Sequence, residues 1–338
     1  MKNLSKINGI ILSTIVIILL FISNFINSET SFIGEKLISY IDSFPGSYAL
    51  IYSMSVPINE DNYNYFSSNI YNKDCLIPYI QLFLYVRTPE KRLMESYSNM
   101  YDLSISKNML RYINVCNNEN NIYYIPLVNA AQIDENYVIF VEESTTIIDF
   151  INPLAGTDYF PELKNFIRNN YMTKANELRF PSNMDLIYDH VFVMPDNSCL
   201  CPPIQKINIS NDGKIINTIS ITSTEYTLKN GNKIIFPKNM IKSWGDDYKY
   251  KSYYEVIYFD ILDNNINDEL FKLDIPDDAE ITDNRLGITY TKNSNNYNRT
   301  EIIYPTKFSY FGYSFEQVKA MIDQKINEDR HQNIKYIK

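Results

Sequence analysis

Between Lys206 and Leu262 the sequence passes repeatedly from alternating runs into tight turns, and no other feature limits the fold as much. KINIS is followed by NDGK, INTISITSTEYTL by KNGN, and KIIFPKNM leads on to YKYKSYYEVIYFDIL. Apolar residues at every second position fit strands with one buried face. Asn-Asp-Gly and Asn-Gly-Asn tolerate the positive φ of hairpin turns. Strands joined by turns this short run antiparallel, so the segment is predicted to be a meander. Upstream, SYALIYSMSVP alternates as well, with Tyr48, Leu50, Tyr52, Met54 and Val56 on one side and Ser47, Ala49, Ile51, Ser53 and Ser55 on the other.

Further strands follow from the same logic. YIQLFLYVR is apolar on both faces and predicts a central or covered strand. MLRYINV and IYYIPL flank CNNENN as a hairpin. TPEKRLMESY, between these elements, fits either a helix begun near Pro89 or a bulged strand. DHVFVM adds a strand, and short ones are predicted near GITY and EIIYP. The 29 tyrosines point the same way, because tyrosine favours half-buried pleated surfaces.

Helical spacing appears in three places. Phe32, Ile33, Leu37, Tyr40, Ile41 and Phe44 mark an opening helix stopped by Pro45-Gly46. ESTTIIDFI and FPELKNFIRNNYMTKANEL predict a helical insertion over about 128–181. Ser314, with Gln317 three residues on, forms a capping box for a C-terminal helix over about 314–330. With no repeat or linker to divide them, residues 29–338 are predicted to form one α+β domain, mainly antiparallel β. The apolar face of such a sheet has to be covered by helices, a second sheet or a ligand.

The first 28 residues carry Lys2 and Lys6, then a nearly unbroken apolar run from Ile10 to Ile22. That is the pattern of an export signal, either cleaved or retained as an N-terminal membrane anchor. The lysines then stay on the cytoplasmic side and the body is delivered outside, to the periplasm or cell envelope, or secreted if cleaved. A net charge of -9 with no compact Lys/Arg cluster makes nucleic acid a poor partner.

Little catalytic material is visible. The Gly-rich phosphate motifs, GxSxG and HExxH are missing, and His190 and His331 are the only histidines. Cys199 and Cys201 are too close to bond each other easily, so oxidation would pair each with Cys75 or Cys116; buried thiols are the other expectation. No cofactor or metal is expected. Glu142-Glu143, Asp246-Asp247 and Asp277-Asp278 are adjacent acids of the kind more often solvated in turns than paired across a cleft.

The C-terminal half resembles a known family. Asn267-Asp268-Glu269-Leu270-Phe271 and Pro276-Asp277-Asp278-Ala279-Glu280-Ile281-Thr282-Asp283 are similar to the turn and closing strand of exported proteins related to the periplasmic lipoprotein carrier and its outer-membrane acceptor (LolA/LolB-like), with Asp278 where glycine is usual. SFIGEKLISYI followed by SYALIYSMSV is similar to that family's first helix and strand. LYVRTPEKRLMESY is similar to its proline–arginine–tyrosine strand pair, with Arg92 at the arginine. The resemblance implies an unclosed antiparallel half-barrel packed on helices, with an apolar cavity for lipid acyl chains.

The expected function is therefore an exported, non-enzymatic binding protein for an apolar ligand, a lipid or a lipid-modified partner. Tyr48, Leu50, Tyr52, Met54, Tyr254, Val256 and Tyr258 are the candidates to line its concave face; core packing is the plainer role for each. An anchored envelope interaction protein and a carboxylate-based hydrolase are the other expectations.

Overall fold

A computed structural model describes residues 39, 47–57, 79–99 except 89, 110–135 except 118, 119 and 127, 172–180 except 175 and 176, 188–193, 204–292 except 211, 246, 248 and 263–265, and 306–333. These residues form fifteen strands in one sheet. The strands are β1 Tyr48–Val56, β2 Tyr79–Arg87, β3 Arg92–Ser98, β4 Leu110–Cys116, β5 Asn120–Ile125, β6 Ala130–Glu135, β7 Met172–Lys174, β8 Glu177–Phe180, β9 Tyr188–Val193, β10 Gln205–Ser210, β11 Ile215–Thr227, β12 Lys233–Trp244, β13 Tyr250–Ile261, β14 Glu280–Asp283 and β15 Ile288–Thr291. A C-terminal helix, Phe315–Asn333, follows.

The path explains the order. β1 lies near the middle, and β2 to β6 step outward from it on one side as successive antiparallel neighbours. The chain resumes at the opposite edge with β7 and steps back inward until β13 pairs with β1. It then crosses to the first edge, where β14 joins β6 and β15 ends the sheet. The sheet is unclosed, with β15 and β7 at its edges.

Several expectations take definite form. The β4–β5 hairpin is present, and the turns at Gly213 and Gly231 hold φ of 84° and 82°. Of TPEKRLMESY, the part from Arg92 onward is strand, because β2 and β4 offer ladders on both sides of β3. Ser314 and Gln317 form the capping box, with N–H donors at 2.7 and 3.3 Å from Oε1 and Oγ. Of the opening helix only Ser39 is described, and it is helical.

One expectation fails in its described part. The insertion over 128–181 is not helical where it is described: β6 runs through Ala130–Glu135, and β7 and β8 make a hairpin in MTKANEL and the residues after it. Pairing of β8 with β9 and of β6 with β5 supplies ladders that override local helical spacing. Residues 136–171, including ESTTIIDFI, lie outside the described set. The strand formed by Glu280–Asp283 is parallel to β6, because it arrives by a crossover and not by a hairpin.

That crossover begins with a 3-10 helix, Asp268–Phe271, capped by the Asn267 side chain accepting from Glu269 N–H at 3.0 Å. Leu270 and Phe271 are buried under the sheet with Phe308, Val318 and Ile322 of the C-terminal segment. They meet Ala49, Ile51, Ile80, Leu82, Leu84 and Leu93, which fill one face. The other face carries a second cluster built from strand side chains and Leu228, with Tyr52 stacked on Phe83 at 4.6 Å and Phe236 on Phe259 at 4.1 Å.

Candidate functional site

In an antiparallel pair, directly opposed residues point to the same face. Register therefore sorts the central strands into rows. Ile221, Met240, Tyr254 and Met54 form one row across β11, β12, β13 and β1. Ile219, Lys242 and Ser252 form the next, extended by Lys206 of β10. Asn217, Trp244 and Tyr250 form the third, extended by Asn208. All lie on the face of the second cluster, which thus passes from apolar to polar within three rows.

The end of this face is open. Asn217, Lys242, Trp244, Gly245, Ser252 and Tyr254 line a cleft of about 260 Å³. Trp244 and Tyr250 have ring centroids 5.9 Å apart, and Gly245, at φ 81°, lies so close that a Cβ would meet the Tyr250 ring at 2.4 Å. Asn217 is 8% exposed, and its amide oxygen has no hydrogen-bond partner. Among the described lining residues Lys242 carries the formal charge; Asp247, in the same turn, is exposed.

Across β2 to β4 the same end is also polar. Gln81 Nε2 donates to Ser96 Oγ at 2.6 Å, Tyr79 O–H donates to Gln81 Oε1 at 2.8 Å, and Arg111 reaches both Tyr79 and Gln81.

Six of the seven residues expected to line a concave face lie on one and the same face of the sheet. Tyr48, Leu50, Tyr52, Tyr254 and Val256 are buried in the cluster, and Met54 is half-buried at its margin. Tyr254 alone among them lines the cleft. Tyr258 is on the opposite face, against Phe311 at 5.9 Å and Tyr313 at 6.5 Å. The cause is a β-bulge: Ile51 pairs with Tyr258 but Tyr52 with Val256, so one residue of β13 is skipped and the alternation changes phase.

The carboxylates separate into two environments. Asp277 is exposed beside Lys292 at 3.5 Å, a solvated turn residue. Glu95 is fully buried under the C-terminal segment, accepting from Tyr97 O–H at 2.5 Å and from Lys307 N–H at 2.8 Å. Burial pushes its carboxyl up to about 7, against the lowering effect of those bonds. Its partners are Tyr97, Thr306 and Lys307, and among the described residues no second carboxylate is paired with it. For Glu255, burial raises the pKa but Lys325 and Lys238 outweigh it and hold the group below its ordinary value.

Cys116 is buried at the end of β4; Cys75, Cys199 and Cys201 lie outside the described residues. His190 falls in β9 and His331 in the C-terminal helix. Among the described residues no group of His, Cys, Asp and Glu could hold a metal ion, and no helix is long and apolar enough to cross a membrane. The N-terminal apolar run is outside that set.

Lys242, Trp244, Asn217 and Glu95 were not singled out in the sequence. The lone tryptophan beside a glycine at a hairpin end was the available signal for the cleft. Glu95 carries none, since its partner Lys307 is 212 residues away.

No known protein family and no characterised protein matches the sequence. Among solved structures, the chain is similar to a DUF1329 family protein from Desulfovibrio piger, at 8% identity and TM-score 0.41, covering 73% of this chain and 97% of that one. It is similar to a domain assigned as an outer membrane lipoprotein-sorting protein from Vibrio parahaemolyticus, at 8% identity and TM-score 0.38, covering 71% and 97%. A LolA superfamily protein from Nitrosomonas europaea is similar at 9% identity and TM-score 0.35, covering 70% and 97%.

Proposed function

We propose that this chain is an exported, non-enzymatic binding protein that holds an apolar or amphipathic ligand, a lipid or a lipid-modified partner, on the face bearing Tyr48, Leu50, Tyr52, Met54, Tyr254 and Val256. One observation carries the proposal: the apolar cluster of that face runs without a break into an open cleft at Tyr254. A ligand with an apolar body matches such a gradient, and clefts lined by aromatic side chains with a few polar groups are the usual form of small-molecule sites. The export pattern of the first 28 residues supports a role outside the cytoplasm.

The test is gentle purification of the full-length protein from its native cells, solvent extraction and lipid mass spectrometry. A co-purifying lipid near one per chain is expected. Lipid-free protein that also fails to bind a hydrophobic fluorophore overturns the role.

A second role, as an anchored envelope protein acting through surface contacts, is favoured by β15. It is an edge strand with Ile288 and Tyr290 exposed, next to exposed Leu286. Intact mass of the native protein tests the anchor: a chain starting near Glu29 has lost it.

A further inference from the structure

We infer that residues 306–333 form a strap, seated on the buried Glu95 side chain, that swings away from the sheet as the solution passes from mildly acid to neutral and uncovers a second apolar face. The strap lies on the face opposite the one assigned to the ligand, so the inference does not depend on the binding role.

No ladder holds the strap. Among the described residues no strand pairs with any part of 306–333, so its departure leaves the described sheet intact. Along 315–328 the buried side chains are Val318 and Ile322, one turn apart on a single stripe. The 3-10 turn before the helix, Lys307–Phe311, buries Phe308 edge-on to Tyr97 at 5.6 Å. The cluster that these three side chains complete includes Ile80, Leu82, Leu84 and Leu93 of the sheet. An element fixed by so narrow an apolar stripe belongs to the parts of a fold that open locally.

Glu95 lies where the strap begins. Its neighbours across β2 and β4 are the apolar Leu84 and Ile113. Its two oxygens accept from Tyr97 O–H on its own strand and from the main-chain N–H of Lys307 on the strap, with the Thr306 hydroxyl as a further partner. All three partners are neutral. The Lys307 ammonium acts on Glu95 from the strap, but it donates to the Glu269 carbonyl at 2.7 Å and is also drawn by the carboxylates of Glu269 and Asp274 in the crossover. Closing the strap thus trades water for neutral donors, which favours the acid; opening it favours the carboxylate. With a pKa of 4.5 in water and about 7 under the strap, closure has its full stability below pH 4.5 and loses it as pH rises through 7.

The strap's other polar anchor does not titrate in that range. Lys325 of the helix pairs with Glu255 of β13, which Lys238 of β12 also approaches at 3.3 Å. Burial alone would raise Glu255 and lower Lys325, but their contact outweighs it and shifts each the other way, so both stay charged from pH 5 to 8. His331, in the same helix, belongs to a residue type that does titrate there, and it is removed as a control.

The test is hydrogen exchange of the full-length chain, read peptide by peptide at pH 5, 6, 7 and 8, with each rate divided by its intrinsic value at that pH. Peptides from 306–333 should open at least about tenfold more readily than those of β1 and β2 at every pH, by local opening. Their opening should grow on the order of 10- to 100-fold from pH 5 to 8, most of it below pH 7. Glu95→Gln should hold opening at its acid level throughout, and His331→Gln should leave the rise in place. Circular dichroism checks that each variant folds, and the wild-type series stands without them. Exchange of 306–333 in step with β1 and β2 overturns the strap, because the segment then opens only when the whole chain unfolds. Opening that is the same at pH 5 and 8, or that rises in Glu95→Gln as in the native chain, overturns the role of Glu95.

Discussion

Glu95 couples the docking of the C-terminal segment to pH. Burial raises its folded pKa from the ordinary carboxyl value of 4.5 to about 7, so between those values the folded state holds a proton that the unfolded chain has released. Stability from this group is present in full below 4.5 and is lost as pH rises through 7, a change on the order of 3 kcal/mol for a fully buried group. Melts at pH 5 and pH 8 should show a lower midpoint at pH 8 in the native chain. Glu95→Gln keeps the size and removes the titration, so its two midpoints should converge. At Gly245 the prediction is steric. Gly245→Ala places a Cβ 2.4 Å from the Tyr250 ring at a φ of 81°, and should both destabilise the chain by about 1–3 kcal/mol and shift Trp244 emission.

The C-terminal helix is the element on which the helix-covered face depends. Val318 and Ile322 are fully buried among Leu270, Phe271 and Phe308. Ile322→Ala leaves a cavity there and should cost about 2–5 kcal/mol in urea unfolding. Ser314→Ala, which removes only a cap, should cost about 1 kcal/mol. The helix and its cap were legible in the sequence because both signals are local. So were the β11 and β12 strands, whose turns need positive φ at Gly213 and Gly231. What escaped was non-local. YYEVIYFDI is apolar in both phases, so nothing in it shows that a bulge moves Tyr258 to the helix side. MTKANEL has helical spacing, and it is the ladder with β9, 10 to 16 residues on, that makes its continuation a strand. The cleft was hidden for a related reason: Asn217, Lys242 and Ser252 are ordinary polar residues until register sets them side by side.

At the scale of the whole molecule, the sheet is most protected at its middle. Ala49, Leu50, Ile51 and Tyr52 are fully buried between β2 and β13, whereas every residue of β15 is exposed. Native-state hydrogen exchange should therefore be slowest in β1, β2 and β13 and fastest in β15, tracking global and local opening respectively. The reverse order would mean that the β1–β13 pairing is not the centre of cooperativity.

That pairing also dictates when the molecule can be finished. β1 and β13 are joined in register from Tyr48 with Ile261 to Ser55 with Tyr253, a separation of about 200 residues along the chain. A ribosome adding roughly 5–20 residues per second needs about 10–40 s to cover that distance. Throughout it, the first strand offers one unsatisfied edge to any other chain nearby. The most buried seam of the sheet cannot close until about 200 residues after its first strand is made, and for that interval it is an exposed point for misassembly.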